Sequence, residues 1–223
     1  MHPSFLEIFM HMIWPVSCPA CGAMGELLCG PCLRSMLRPQ LQRCLWCGEP
    51  SPCKVHRDAA GSGAKIRAAS AYEGHMKNVI LALKYGGYKA IGSRLGKALA
   101  NVFTCPGIDV LVPVPLHLNS KRLYNQAEAI AAGMGKAWGV EVRNAARWTA
   151  DVPARAGMGM AERLSIKSDV FAFDEDISGL RVGFVDDVCT TGSTLTALAQ
   201  AAGSSGADVV CAFVVAHVPP ISR

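Results

Sequence analysis

A chain of 223 residues is long enough for one domain of ordinary size together with a small additional module. Hydrophobic residues make up 51% of it and charged residues 17%, which excludes a disordered or low-complexity protein. The net charge of +5 permits an acidic ligand, such as a polyphosphate or a nucleic acid, without requiring one.

The chain opens on an apolar stretch, residues 5–14, that ends shortly before the first cysteine. This stretch has neither a basic start nor a small-residue cleavage site, and it is too short to span a bilayer. It therefore predicts an amphipathic helix that packs on its own protein. We expect a cytoplasmic protein with no membrane insertion.

Cysteines are concentrated near the start of the chain, where seven of the ten lie between positions 18 and 53. Their C-x-x-C spacing is typical of zinc knuckles in a reducing compartment and not of a secreted disulfide framework. Four pairs of metal ligands are predicted: Cys18 and Cys21, Cys29 and Cys32, Cys44 and Cys47, and Cys53 and His56.

Eight ligands are enough for two closed tetrahedral zinc sites, which would be structural and not catalytic. The simplest grouping is sequential, with the first four ligands on one ion and the last four on the other. A cross-braced pairing, a single occupied site and buried thiols without metal are the alternatives. We assign residues 1–57 to an N-terminal helix and a double zinc-ribbon domain.

A small, polar, glycine-bearing stretch over residues 58–66 is typical of a linker. The second domain is then predicted over residues 67–223, and its first element is expected to be an edge strand over 68–72.

Two helices are expected after this strand. The first has apolar positions at helical spacing and ends at a glycine pair just after Lys84. Lys84 is either a solvated lysine, favourable to the helix dipole, or a contact for a phosphate. The second helix is predicted over residues 91–103.

The run from Val110 to Pro115 predicts a strand that stops at prolines. Two adjacent cations, Lys121 and Arg122, follow it, and an Ala-rich helix is predicted over 127–138. Because ligands of open α/β sheets gather outside the carboxyl ends of the strands, these two cations could receive a pyrophosphate group.

The hydrophobic pattern weakens between residues 140 and 170, which suggests a mobile hood over a site. Its scattered cations are Arg147, Arg155, Arg163 and Lys167.

The stretch RVGFVDDVCTTGST, residues 181–194, has the order of a strand, an acidic pair, a turn and a helix. The apolar residues 182–185 predict a buried strand that Asp186 and Asp187 close. A helix is expected over residues 195–202. The turn between them consists of Thr190, Thr191, Gly192, Ser193 and Thr194.

Such a turn places free backbone N–H groups and hydroxyls at a helix N-terminus, where the helix dipole also favours a phosphate. Gly192 allows the backbone to approach the anion closely. The two aspartates suit either a sugar diol or Mg²⁺ beside the phosphate. An ordinary capped turn is the alternative, but capping alone requires neither two aspartates nor five small residues in a row.

A strongly apolar strand over residues 208–216 closes the chain. The alternation of strands with helices predicts an α/β fold with a mainly parallel sheet and helices on both of its faces. The small zinc-ribbon domain would precede this sheet.

The D-D-x-x-T-T-G-x-T pattern resembles the phosphoribosyl-pyrophosphate (PRPP) motif of type I phosphoribosyltransferases. Three further features accompany it, and together they make the sequence similar to the ComF/GntX competence-associated proteins. These features are the paired cysteines, Tyr72-Glu73-Gly74 with Leu83-Lys84-Tyr85 and Gly87, and Val112-Pro113-Val114-Pro115-Leu116-His117 with Tyr124-Asn125-Gln126-Ala127.

The resemblance implies a type I phosphoribosyltransferase-like domain behind a structural zinc module, with Mg²⁺ bound together with PRPP. The turn 190–194 would hold the 5′-phosphate, and Asp186 and Asp187 would hold the ribose hydroxyls. Lys121, Arg122 and Lys84 would face the pyrophosphate. The same resemblance implies DNA-uptake proteins and single-stranded DNA as partners, so a non-catalytic protein that handles single-stranded DNA is the alternative function.

Overall fold

The computed structural model describes residues 16–40, 42–56, 63–149 and 168–219. The predicted N-terminal helix lies outside these residues, as do three cations of the predicted hood, Arg155, Arg163 and Lys167.

The described residues contain five α-helices and eight β-strands. The helices are α1 (Gly30–Met36), α2 (Gly74–Tyr85), α3 (Lys89–Val102), α4 (Gln126–Trp138) and α5 (Ser193–Ser204). The strands are β1 (Arg43–Cys44), β2 (Lys65–Ala68), β3 (Val110–Pro113), β4 (Glu141–Val142), β5 (Ala146–Trp148), β6 (Phe171–Phe173), β7 (Arg181–Cys189) and β8 (Asp208–His217).

Six of these strands form one sheet in the order β1-β2-β8-β7-β3-β4, and β5 pairs with β6 separately. Every neighbouring pair of the large sheet is parallel except β1 with β2. One face is covered by α2, α3 and α4, and the other by α5 and the β5–β6 pair. The predicted α/β class, with a mainly parallel sheet and helices on both faces, is confirmed. No described helix is long and apolar enough to cross a membrane.

The predicted position of the first strand of this sheet, residues 68–72, is wrong. The strand β2 begins earlier, at Lys65, and ends at Ala68, while Ala71 forms only a bridge with His217. The outer edge belongs to β1, which comes from the Cys-rich module. Polar and buried residues alternate over only the four residues of β2, and pairing with β8 stabilises this short strand.

Two glycines allow α3 and α4 to pack in close contact. A Cβ atom on Gly96 would lie 1.9 Å from the carbonyl oxygen of Ile130, and one on Gly133 would lie 2.2 Å from that of Ser93. Because the atoms in the way belong to the backbone, no change of rotamer could relieve such a clash. The two glycines therefore set the position of α4 and of the loop that precedes it.

Replacement of Gly96 by alanine should lower the free energy of unfolding by about 2 kcal/mol or more, since overpacking costs ~1–3 kcal/mol even where side chains can adapt. The control is Gly203→Ala in α5, where a Cβ would meet nothing within 4 Å. That variant should be neutral or more stable by up to about 1 kcal/mol, because alanine favours helix. Urea denaturation followed by circular dichroism measures both. Equal free energies of unfolding for Gly96→Ala and Gly203→Ala would contradict this prediction, because α3 and α4 could then move apart without loss of stability.

Candidate functional site

A crevice opens where the chain changes direction across the sheet. The strands β3 and β7 are parallel neighbours, but the chain runs from β3 through α4 to β4 on one side and from β7 through α5 to β8 on the other. The two helices cover opposite faces and so diverge beyond the carboxyl ends of β3 and β7. Ligands of open α/β sheets bind at such a switch point.

The central strand β7 extends beyond its predicted end at the two aspartates. It continues to Cys189, because β8 still pairs with it there, with Cys189 opposite His217. On the other side β3 stops at Pro113. One edge of β7 is consequently open beyond this point, and both aspartates line the resulting cavity of about 200 Å³.

Asp187 is buried and forms an ion pair with Lys84 in the last turn of α2. The Lys84 Nζ and Asp187 Oδ1 atoms are 3.0 Å apart, and the two side chains are only 15% and 8% exposed. This burial excludes the solvated lysine that the sequence left open. Loss of either partner would leave the other as an unpaired and largely buried charge, which is costly.

The carboxyl of Asp186 has a raised pKa. Burial, and after it the negative charge of Asp187, raise the pKa of this carboxyl to about 7, against the opposing effect of the Asp187 backbone N–H and nearby cations. That N–H donates to Oδ1 of Asp186 at 2.7 Å. A ligand that brings hydrogen-bond donors or a cation to this carboxyl would favour its charged form.

Tyr124 connects the loop after β3 to the end of α2. Its half-buried hydroxyl donates a hydrogen bond to the carbonyl of Leu83, the residue before Lys84. Burial also raises the pKa of this phenol. The bond fixes the loop, which carries Arg122, against the helix that carries Lys84.

Asn125 forms the start of α4. Its Oδ1 accepts from the N–H of Ala127 at 3.0 Å, and its Nδ2 donates to the carbonyl of Val114 at 3.0 Å. The first bond is a helix cap and the second closes the loop on itself. Tyr124 and Asn125 were recognisable in the sequence as parts of a motif, but their role in holding the loop depends on contacts that the sequence does not display.

Three predicted cations meet at one opening beside the aspartates. A second cavity of about 330 Å³ is lined by Lys84, Lys121 and Arg122. Arg122 also lines the first cavity, and its Nη1 donates to Oε1 of Gln126 at 3.0 Å. Its guanidinium lies 5.9 Å from the ring centroid of Tyr85. Lys121 is exposed.

The small-residue turn leads into α5 without a side-chain cap. Gly192 stands at the N-cap position with a φ of 84°, a conformation that favours glycine. The hydroxyls of Thr191 and Ser193 lie 3.0 Å apart, while Thr190 is exposed and Thr194 is half-buried. The backbone N–H of Ser193 donates to Thr191 Oγ1 at 3.4 Å. Hydroxyls are thus gathered at a helix N-terminus whose N-cap residue has no side chain, an arrangement that suits phosphate.

Two aromatic side chains line the cavity together with the aspartates. Trp148 of β5 donates from Nε1 to the carbonyl of Pro115 at 3.0 Å, and the ring of His117 lies 5.1 Å from that of Trp148. The described part of the predicted hood therefore includes a paired strand, β5, that reaches the crevice. Its cation Arg147 is engaged elsewhere, with Asp174 at 2.6 Å.

The eight predicted metal ligands form two groups of four. In each group all ligand atoms lie within 4.8 Å of one another. The grouping is sequential and not cross-braced: Cys18, Cys21, Cys29 and Cys32 form one group, and Cys44, Cys47, Cys53 and His56 form the other.

The spacing within both groups fits a tetrahedral zinc ion. Zn–S bonds of about 2.3 Å place neighbouring sulfurs about 3.8 Å apart. The Sγ atoms of Cys21 and Cys29 are 3.7 Å apart, and those of Cys47 and Cys53 are 3.6 Å apart. The His56 Nδ1 lies 3.7 Å from Cys53 Sγ.

No protein-family model matches the sequence, and no curated protein matches it. Among solved structures, adenine phosphoribosyltransferase from Thermoanaerobacter pseudethanolicus ATCC 33223 aligns with a TM-score of 0.43 and 17% identity, over 83% of this chain and 85% of that one. The allosteric regulatory enzyme of purine biosynthesis aligns with a TM-score of 0.41 and 19% identity, over 65% of this chain. The alignment spans only 31% of that second protein.

The raised pKa of Asp186 makes stability depend on pH in a definite direction. A carboxyl whose pKa rises from 3.8 to about 7 on folding stabilises the chain only while it stays protonated, so the folded state loses stability as the pH rises towards 7. Asp186→Asn does not titrate. Its stability relative to the wild type should increase between pH 5 and pH 7, by at most about 1.4 kcal/mol per pH unit, and level off above pH 7.

Urea denaturation at four pH values between 5 and 8 measures this difference. Asp174→Asn, at an exposed aspartate, is the control and should run parallel to the wild type over this range. A parallel curve for Asp186→Asn as well would contradict the prediction.

Proposed function

We propose that this chain binds PRPP together with Mg²⁺ and is a phosphoribosyltransferase-like protein of the ComF/GntX kind. The observation that carries the proposal is the meeting of an acidic pair, a hydroxyl-rich turn at a helix N-terminus and three cations at the switch point of a parallel sheet. The matching sequence motif supports the same ligand.

Each part of the crevice corresponds to one part of PRPP. The turn 190–194 would bind the 5′-phosphate through backbone N–H groups and hydroxyls. Asp186 and Asp187 would accept hydrogen bonds from the ribose hydroxyls. Lys84, Lys121 and Arg122 would form charge-assisted contacts with the pyrophosphate.

In the transfer reaction, the electron pair of an acceptor forms a bond to C1 of the ribose. The bond from C1 to the pyrophosphate oxygen breaks, and its electron pair leaves with the pyrophosphate. Stabilisation of this leaving group is the main task of the protein, and the three cations suit it. Mg²⁺ bound with PRPP would neutralise further charge there. His117 and Trp148, which share the cavity of the aspartates, are the candidates for contact with the acceptor.

Isothermal titration should give PRPP binding that requires Mg²⁺ and weakens at least tenfold in Asp187→Asn. This variant keeps the shape of the side chain but removes the charge, and a hydrogen bond to a charged group contributes about 1.5–3 kcal/mol. The control is Asp174→Asn, which also removes an aspartate from an ion pair, that with Arg147. It should bind PRPP like the wild type. A folded wild type that binds no PRPP in the presence of Mg²⁺ would refute the proposal.

A groove at the opposite ends of the strands favours a second function, the binding of single-stranded DNA. A cavity of about 640 Å³ is lined by Lys65, Arg67 and Arg181 together with Trp46. Among the described atoms, Nε of Arg67 is buried without a hydrogen-bond partner. Cations that follow a phosphate backbone beside an aromatic ring are typical of sites for single strands. Such binding would agree with a role in DNA uptake, which the resemblance to competence proteins implies.

If three cations of this groove contact phosphates, the logarithm of the DNA affinity should fall with the logarithm of salt concentration with a slope of about −2, or ~0.7 per cation. Fluorescence anisotropy with an oligothymidylate measures it. Lys65→Gln should reduce the slope by about 0.7. Arg143→Gln, which removes the same charge beside β4 at the far edge of the sheet, should leave it unchanged. Equal slopes for the two variants would count against this groove.

A further inference from the structure

A hydrogen bond joins the segment that carries the second group of metal ligands to the helix that follows the small-residue turn. Thr196, in the first turn of α5, donates its hydroxyl to the carbonyl of Leu45 at 2.6 Å. Leu45 is fully buried and lies between the ligands Cys44 and Cys47. The bond therefore joins the metal knuckle, residues 44–48, to the start of α5 across 151 positions of sequence.

The knuckle also lies against the turn itself. A Cβ atom on Gly48 would be 3.7 Å from the carbonyl oxygen of Thr191. Between them is a cavity of about 230 Å³, lined by Trp46, Cys47 and Gly48 on one side and by Thr191 and Ser193 on the other. Any displacement of the knuckle would consequently change the surroundings of the turn.

A second connection runs through the sheet. The N–H of Leu45 donates to the carbonyl of Ala64 at 2.9 Å, just before β2, and β1 pairs with β2. From β2 the side chain of Ile66 reaches beneath the turn, where a Cβ on Gly192 would lie 3.0 Å from its Cδ1. The knuckle thus supports the turn both directly and through β2.

The first metal group packs on the other face of the sheet. Its ligands Cys18 and Cys29 belong to the apolar cluster that α2 and α3 form. Arg94 of α3 donates to the carbonyl of Leu28 in this module at 2.8 Å. The chain therefore contains two similar groups of four candidate metal ligands, of which only the second lies against the turn.

We propose that metal binding at Cys44, Cys47, Cys53 and His56 positions the phosphate-binding turn 190–194. The ion would fix the knuckle, and the knuckle would hold Thr196 and Thr191 in the shape that receives an anion. The physical reason is preorganisation: a turn that is already ordered loses less conformational freedom when its ligand binds. Leu45 and Thr196 are positioning residues in this arrangement. The identity of the ligand rests on the proposed function, whereas the coupling of metal to turn does not.

The full-length variants Cys47→Ser and Cys21→Ser test this coupling as a matched pair, because each removes an exposed second cysteine of a C-x-x-C sequence. Each should lower the zinc content, measured by mass spectrometry of the metal, by one ion per chain. In Cys47→Ser the amides of residues 190–196 should exchange with solvent on the order of tenfold faster, and PRPP should bind on the order of tenfold more weakly. In Cys21→Ser both should stay within about twofold of the wild type.

A second pair of variants leaves the metal ligands intact, so the test survives if Cys47→Ser does not fold. Thr196→Val removes only the hydroxyl that reaches Leu45 and should accelerate exchange of the turn severalfold without loss of zinc. Ser205→Ala removes a similar hydroxyl-to-carbonyl bond, that to Ala201 at the other end of α5, and should change neither quantity.

Equal exchange of residues 190–196 in Cys47→Ser, Cys21→Ser and the wild type would overturn the inference, and so would equal exchange in Thr196→Val and Ser205→Ala. Faster exchange of the turn in Cys47→Ser and Thr196→Val alone would support it. If that pattern occurs in a chain that binds no PRPP, the coupling stands and the proposed ligand is refuted.

Discussion

The desolvation of two adjacent carboxylates in the central strand is the constraint on which the crevice depends. Asp186 and Asp187 lie where β7 has lost its neighbour β3 but keeps β8, so they are held by the sheet and open on one side. Two neighbouring negative charges in such a place require compensation. Lys84 provides it for Asp187, and a raised pKa provides it for Asp186. The end of α2 must therefore keep its position beside β7, and the hydrogen bond from Tyr124 to Leu83 helps to hold it there.

The same sheet joins the Cys-rich module to the rest of the chain. The strand β1 adds an antiparallel edge to β2, and Leu45, immediately after it, packs in the cluster that includes α5. A module with few buried residues gains an apolar neighbour in this way, while part of the edge of β2 that could pair with other chains is covered by β1. The two parts of the chain thus stabilise each other, although their sequence patterns are unrelated.

Features that depend on local sequence could be predicted well. The helices α2 to α5 follow from apolar spacing or alanine-rich sequence, with a glycine stop after α2, and the two groups of metal ligands follow from the C-x-x-C repeats. Contacts between distant segments could not be predicted. The sequence of β2 is typical of a polar linker, and its pairing with β8 makes it a strand. The strand β7 extends past its aspartates only because β8 is long enough to pair with it there. The ion pair of Lys84 with Asp187 and the bond of Thr196 to Leu45 join residues that are remote in sequence, so neither has a local signal.

The composition of the crevice also explains why the fold contains a carboxyl, that of Asp186, that lowers its stability. A carboxyl with a pKa near 7 costs stability at neutral pH, and an apolar residue at Asp186 would remove that cost. What an apolar residue could not do is accept hydrogen bonds from a sugar or receive a cation. A ligand that carries both hydroxyl donors and a metal ion would provide the hydrogen-bond donors and the positive charge that the protein itself does not supply to Asp186. Its binding would offset the free energy that burial of this carboxyl costs on folding. The unfavourable electrostatics of Asp186 are therefore the expected property of a binding site whose last partners come from the ligand.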